Sequence, residues 1–298
     1  MSGMGTTVGG VSRRQFVLTA ATAVLASGTV RGQKAALTAQ QVVDRIRAHV
    51  GSPWREGTVD TFKAGDPNEV VTGVATTTMA TLGVLRQAAQ AGRNLIITHE
   101  PTFYTPADVA GPRANDPVYL AKKAFIEQHR LVVWRFSDHW LARRPNAFVA
   151  AMADALGWTG GRSSGSDRIF TVPPTMLASI EAHVRTRLAI RGGMRSIGNA
   201  RMPVRRVALS PGTTDLQDAL VNLRAADVLV SGEPREWEAV EYVFDMQAAG
   251  QPKAMIMVGR IASEEPGMRA CAAWLRALVP EVPVEHIAVG DPYWSPVA

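Results

Sequence analysis

The sequence predicts an α/β fold with a largely parallel core, and three observations carry that prediction. Short apolar runs such as Asn94-Leu95-Ile96-Ile97-Thr98 alternate with segments of helical periodicity, the rhythm of strand–helix–strand units. Those runs show no in-and-out alternation, which is the pattern of strands covered on both faces. The third observation is an internal similarity. Asn94-Leu95-Ile96-Ile97-Thr98-His99-Glu100-Pro101 lines up with Asp227-Val228-Leu229-Val230-Ser231-Gly232-Glu233-Pro234. Two related halves facing each other explain the match, with Glu100 and Glu233 at strand carboxyl ends, where open α/β sheets collect ligands.

Taken in order, a helix begins after Thr38, which can cap it, with Gln41 completing a capping box and Leu37 stapling onto Val42. Val43, Ile46 and Val50 continue its apolar stripe to Gly51. Residues 70–78 read as a strand, 79–91 as a helix and 94–98 as a buried strand. A helix over 119–129, a strand over 131–136 and a helix over 147–156 follow. The second half repeats the rhythm, with helices over 175–190, 215–225, 236–248 and 266–278. Its strands fall at 204–209, 228–231, 254–258 and 282–289. The Gly/Ser-rich stretch 160–167 is the expected linker between a first half, 33–159, and a second, 168–298.

With 298 residues, 46% apolar and 19% charged, the chain has the composition of neither a disordered protein, a collagen nor a coiled coil. The net charge is +6, and Arg13, Arg14 and Arg31 alone supply three of those charges. So mild an excess, without basic runs interleaved with aromatics, points away from nucleic acid. Cys271 is the only cysteine, which excludes an intrachain disulfide and a cysteine zinc site.

Residues 1–32 resemble a twin-arginine export signal. Ser12-Arg13-Arg14-Gln15-Phe16-Val17-Leu18 is followed by an apolar run to Leu25 and by small residues near Ala26-Ser27-Gly28 and Gly32. The run falls short of the ~20 residues that span a bilayer, so no stable membrane span is expected. The expected location is periplasmic or extracellular.

Polar clusters follow the buried strands: Thr98-His99-Glu100, Ser137-Asp138-His139, Gly232-Glu233 and Ser263-Glu264-Glu265. Converging carboxylates and imidazoles would suit divalent metals. Each cluster also reads as an ordinary helix entry, Ser137 and Asp138 as caps and Glu264-Glu265-Pro266 as dipole-compensating charge. Trp237 and Val240, at helical spacing, read as core. Ser210-Pro211-Gly212 is either a tight turn or an anion cradle. His129, His183 and His286 read as plain surface or helix residues, and Cys271 as a small buried hydrophobe.

Asn94–Tyr104 in its Thr-His-Glu-Pro-Thr-Phe-Tyr wording, Gly232-Glu233-Pro234-Arg235-Glu236-Trp237-Glu238 and Gly259-Arg260-Ile261-Ala262-Ser263-Glu264-Glu265-Pro266-Gly267 together resemble the Nif-three-like dinuclear metal-centre proteins. The match runs in order from about residue 37 to the closing Asp291-Pro292-Tyr293-Trp294. The resemblance implies two related α/β halves with a two-metal site between them, commonly in a hexameric ring. Members are often labelled GTP cyclohydrolase type 2-like, although export argues against a cytoplasmic nucleotide as substrate. Carried over by position, His99, Glu100, Asp138, His139 and Glu264 are the implied metal ligands, for one or two ions of Zn, Mn or Fe. Apart from the resemblance, the likeness of the Glu233 strand end to that of His99-Glu100 makes Glu233 or Glu238 a candidate general base or ligand-supporting carboxylate.

Three positions depart from the family's wording. Ser137 and Leu141 stand where histidines are expected, and Arg260 where a ligand histidine is usual. Arginine offers only donors and cannot bind a cation. It can pair with Glu100 or Glu264 in place of a metal, or clamp an anionic substrate group. The sequence therefore predicts an exported metal-dependent hydrolase acting on a small polar molecule through a metal-bound water. Its alternative is a non-catalytic, ring-forming binding protein with a degenerate metal site.

Overall fold

Capping chemistry sets the first helix, α1 (Ala39–His49), where the sequence places it. The Thr38 hydroxyl accepts from Gln41 N while Gln41 Oε1 accepts from Thr38 N. The computed structural model describes residues 36–109 and 111–294, together with Gly5. The twin-arginine segment and its expected cleavage points lie outside the described residues.

The first stretch continues with β1 (Phe62–Ala64), β2 (Val74–Thr77), α2 (Leu82–Gln90), β3 (Leu95–Thr98), α3 (Pro117–Gln128) and β4 (Val132–Arg135). Short α4 (Asp138–Leu141) and α5 (Ala147–Leu156) complete it. Next come β5 (Ile169–Met176), α6 (Leu177–Arg187), β6 (Arg195–Ile197), β7 (Pro203–Thr214), α7 (Leu216–Ala225) and β8 (Val228–Pro234). A π-helical turn, Glu236–Val240, leads into α8 (Glu241–Ala248), then β9 (Ala254–Met257), α9 (Arg260–Leu278) and β10 (Val284–His286).

Among the described residues the strands form two five-stranded sheets, in the orders β1-β4-β3-β2-β10 and β5-β7-β8-β9-β6. Each has a parallel core, β10-β2-β3-β4 with antiparallel β1 on one edge in the first, and β7-β8-β9 between antiparallel β5 and β6 in the second. The expected α/β class with two halves is what the chain adopts. The similar segments occupy equivalent places, β3 and β8 being the central strands of their sheets.

Several boundaries differ from expectation. The division at 160–167 does not separate the halves cleanly, because β10 pairs with β2 of the first sheet. The apolar face of α9 at Met268, Cys271 and Leu275 likewise packs in the core of that sheet. β5 was not expected. It carries Pro173 and Pro174, which an edge strand tolerates because prolines lack an N–H to donate. α9 begins six residues before the expected start, with Pro266 inside it. Pro266 has no N–H for the carbonyl one turn back, which is why the sequence suggests a helix start there. Trp237 is 70% exposed rather than core, its ring 5.7 Å from the Arg235 guanidinium.

α9 lies close against α5. A Cβ placed on Gly267 would come within 2.2 Å of the Phe148 ring, so only glycine admits this approach. The same ring packs on His99, with centroids 4.4 Å apart. Gly267→Ala is expected to lower stability by about 1–2 kcal/mol, overpacking outweighing the gain in helix propensity. Urea denaturation checks this, and unchanged stability would mean that the Phe148 ring simply swings aside.

Candidate metal centre

The site assembles where β3 ends and α9 begins. His99 and Glu100 follow the last residue of β3, their amides donating to the Thr77 and Thr78 carbonyls of the neighbouring strand. Arg260 and Glu264 are one turn apart in α9, so both side chains leave the helix on one face. A Cβ on Gly212 would lie 2.5 Å from Glu264 Oε1, and its φ of +77° suits glycine. This bare backbone in β7 lets the α9 entry approach. Its amide donates to Ser263 Oγ at 3.0 Å, so the Ser210-Pro211-Gly212 segment fastens α9 and offers no free anion cradle at that amide.

One donor atom from each of His99, Glu100 and Glu264 lies within 4.8 Å of the others, the only such group among the described residues. All three side chains are buried. His99 Nε2 is 3.4 Å from Glu264 Oε1 and 3.6 Å from Glu100 Oε1. Two further buried atoms, His99 Nδ1 and Glu264 Oε2, have no hydrogen-bond partner. Of these, Glu264 Oε2 belongs to a carboxylate of the converging set, whereas His99 meets the carboxylates through Nε2, its other ring nitrogen.

Arg260 enters the same cluster. Its Nε and Nη2 each reach Glu100 Oε1 at 2.7 Å, and Nε lies 3.6 Å from Glu264 Oε1. On its other side Nη1 donates to Thr213 Oγ1 at 2.7 Å and to Glu233 Oε2 at 3.2 Å. One guanidinium thus joins Glu100 and Glu233, the equivalent glutamates of the two halves.

The electrostatics follow from this packing. Burial raises the Glu100 pKa, the nearby Glu264 carboxylate adds to the rise, and His99 and Arg260 only partly offset it. Burial opposes charge on His99, but Glu264 and Glu100 outweigh it and hold the imidazole pKa above its usual value. Burial likewise opposes charge on Arg260, and the same two carboxylates outweigh it. Two buried carboxylates facing one guanidinium leave a negative excess that a proton or a divalent cation can neutralise.

The donor set fits one ion. A second finds no comparable set among the described residues, and Arg260 brings only donors. Asp138 and His139, implied ligands by resemblance, are not in the group and are engaged elsewhere. Asp60 accepts from the amides of Ser137, Asp138 and His139 and bonds His139 Nδ1 at 2.7 Å. His139 Nε2 accepts from Arg55 N, and the ring stacks on Trp54 at 3.7 Å. Both its nitrogens are therefore used, and it is wholly buried. Asp138 accepts from Thr58 Oγ1 and Val59 N, which draw its pKa down against the effect of burial. Asp60, rather than Ser137, caps α4, and Leu141 is exposed. Glu238 accepts from Arg235 within the π-helical turn, outside the group. Glu233 reaches the site through Arg260.

The sequence did not single out Thr213 or the pairing of His286 with Glu265 at 2.9 Å. His286 belongs to β10 and bonds across to α9, a contact that no local pattern encodes.

A family model described as Duf34/NIF3 (NGG1p interacting factor 3) matches residues 61–292. No curated protein matches the chain. A Staphylococcus aureus hypothetical protein of known structure superimposes with a TM-score of 0.69 at 18% identity, covering 87% of this chain and 99% of that one. A Bacillus cereus protein related to NIF3 gives 0.67 at 14% identity, over 87% and 99%. Reduced HcgD from Methanocaldococcus jannaschii gives 0.60 at 13% identity, over 84% and 97%. At these identities the structures share the fold alone.

The loop after Glu100 is tied down by two cations. Arg135 donates to the carbonyls of His99 and Pro106, and Lys122, 3% exposed, donates to the Thr102 carbonyl. Burial lowers the Lys122 pKa from 10.5 to about 8, with Asp108 pulling the other way. Between pH 8 and 10.5 the unfolded chain keeps a proton that the folded chain has released, so this group makes stability rise with pH across that window. Lys122→Met should remove that component of the slope, which urea denaturation at a series of pH values measures. An unchanged slope would show that Lys122 titrates normally in the folded protein.

Proposed function

The chain belongs to the Duf34/NIF3 (NGG1p interacting factor 3) family, and we propose that it is an exported, metal-dependent hydrolase acting on a small polar substrate. The observation that carries this reading is the buried convergence of His99 Nε2 with the Glu100 and Glu264 carboxylates, one Glu264 oxygen being left without a partner. These residues would hold one divalent ion of the zinc, manganese or iron kind. When bound, such an ion polarises a carbonyl or phosphoryl oxygen and makes water a usable nucleophile near neutral pH.

The chain's own residues supply the rest. Arg260 holds a fixed positive charge beside Glu100 and faces developing negative charge on a substrate oxygen. Glu233, whose side chain is 61% exposed at the mouth of the site, accepts a proton from water and passes it to the leaving group. Phe148 lies against His99 and keeps water from that side of the imidazole. Export rests on the paired Arg13-Arg14, the apolar run and the small residues that follow them in order.

The Arg260–Glu100 contact favours a second reading, a non-catalytic binding protein in which the guanidinium replaces the ion. Metal analysis of protein purified without chelator separates the two. The hydrolase reading expects about one equivalent in the parent and none in a His99→Ala, Glu264→Ala double variant. It further expects Arg260→His to raise the metal content. No metal in any of the three proteins, with folding intact, would overturn the hydrolase reading in favour of the second.

A further inference from the structure

Beside the metal centre opens a cleft of about 610 Å³, separated from the buried cluster by Arg260. The periodicity of α9 divides the two regions. Arg260 and Glu264 point to the cluster, whereas Ile261, Glu265 and Arg269, four residues apart, line the cleft. Leu188, Ile190, Met257 and Val258 give it an apolar wall. The far side is closed by the C-terminal segment, which Asp291 fastens by accepting from the amides of Arg191, Gly192 and Tyr293.

The charged groups in this lining are nearly all engaged. Glu233 pairs with Arg260, and Glu265 accepts from Val289 N and Thr78 Oγ1 and bonds His286. Asp291 holds its three amides, and Arg195 pairs with Glu236. Arg269 is exposed and has no hydrogen-bond or ion-pair partner among the described residues. From Arg260 to Arg269 the helix rises roughly 13 Å. An unpaired cation thus stands at one end of an apolar trough whose other end is the metal centre.

We infer that the cleft binds an elongated amphipathic anion, its carboxylate or phosphate on Arg269 and its apolar body along the trough toward Arg260. This names a substrate class for the hydrolase reading and rests on it for the reaction, but not for the binding. Apolar contact supplies most of the affinity, and Arg269 selects for negative charge at the distal end.

The test uses the full chain, as purified and after treatment with EDTA, with the fluorescent anion 8-anilinonaphthalene-1-sulfonate as reporter. Decanoate, decyl phosphate and the neutral methyl decanoate compete for it. Saturable reporter binding, displaced by the anions and at least about fivefold less well by the ester, is expected. Arg269→Gln should weaken anion displacement about fivefold and leave the ester unchanged. Ala288→Trp, at an exposed position of the cleft wall, should abolish the binding. Stronger displacement by decanoate identifies a carboxylate ligand, and by decyl phosphate a phosphate. Equal displacement by ester and anions, or parent-like binding in both variants, would overturn the proposal even if metal is present. Anion binding by protein that carries no metal as purified upholds the cleft while the hydrolase reading fails.

Discussion

The position of α9 is the constraint on which the site depends, and the contact between Gly267 and the Phe148 ring governs it. With no Cβ at 267, α5 and α9 close to a distance that any other residue would forbid. Phe148 then reaches His99, and the first turn of α9 reaches the bare backbone of Gly212. Arg260 and Glu264 arrive at the end of β3 as a consequence. The helix also joins the halves, its apolar residues entering the core of the first sheet while its first turn is tied to β7 of the second.

What results is an electrostatic arrangement with little slack. Bringing two carboxylates, an imidazole and a guanidinium out of water is costly, and pairwise attraction repays that cost only where geometry is close. Arg260 meets the condition on both sides, touching Glu100 inward and Thr213 and Glu233 outward. It thereby joins the two strand ends that the internal similarity makes equivalent. The two buried carboxylates beside one guanidinium leave a negative excess that a proton on His99 or Glu100, or a cation, can offset.

Much of the fold was legible locally. The Thr38 capping box, the Ala147–Leu156 helix and the buried β3 run follow from side-chain chemistry within a few residues. Elements whose identity rests on distant partners were not. β5 is a strand because β7 lies beside it, and its prolines survive because they are on an edge. The early start of α9 was hidden by Pro266, whose local preference is overridden by anchoring through Gly212 and Ser263. Trp237 misled for the opposite reason, since helical spacing marks a face without saying whether anything covers it.

The sequence by itself determined the α/β class and the repeated strand end, because period, capping and strand-end polarity are local properties. Through the family resemblance it offered His99, Glu100 and Glu264 alongside Asp138 and His139, with Arg260 able to pair with Glu100 or Glu264. Only the tertiary structure decided which polar clusters converge. Asp138 and His139 carry the same chemistry at a strand end, yet Asp60, 77 to 79 residues from its backbone donors, claims the amides of that turn and the imidazole. Hydrogen-bond capacity is finite, and whether a donor remains free for a ligand depends on every neighbour that folding brings within 3 Å.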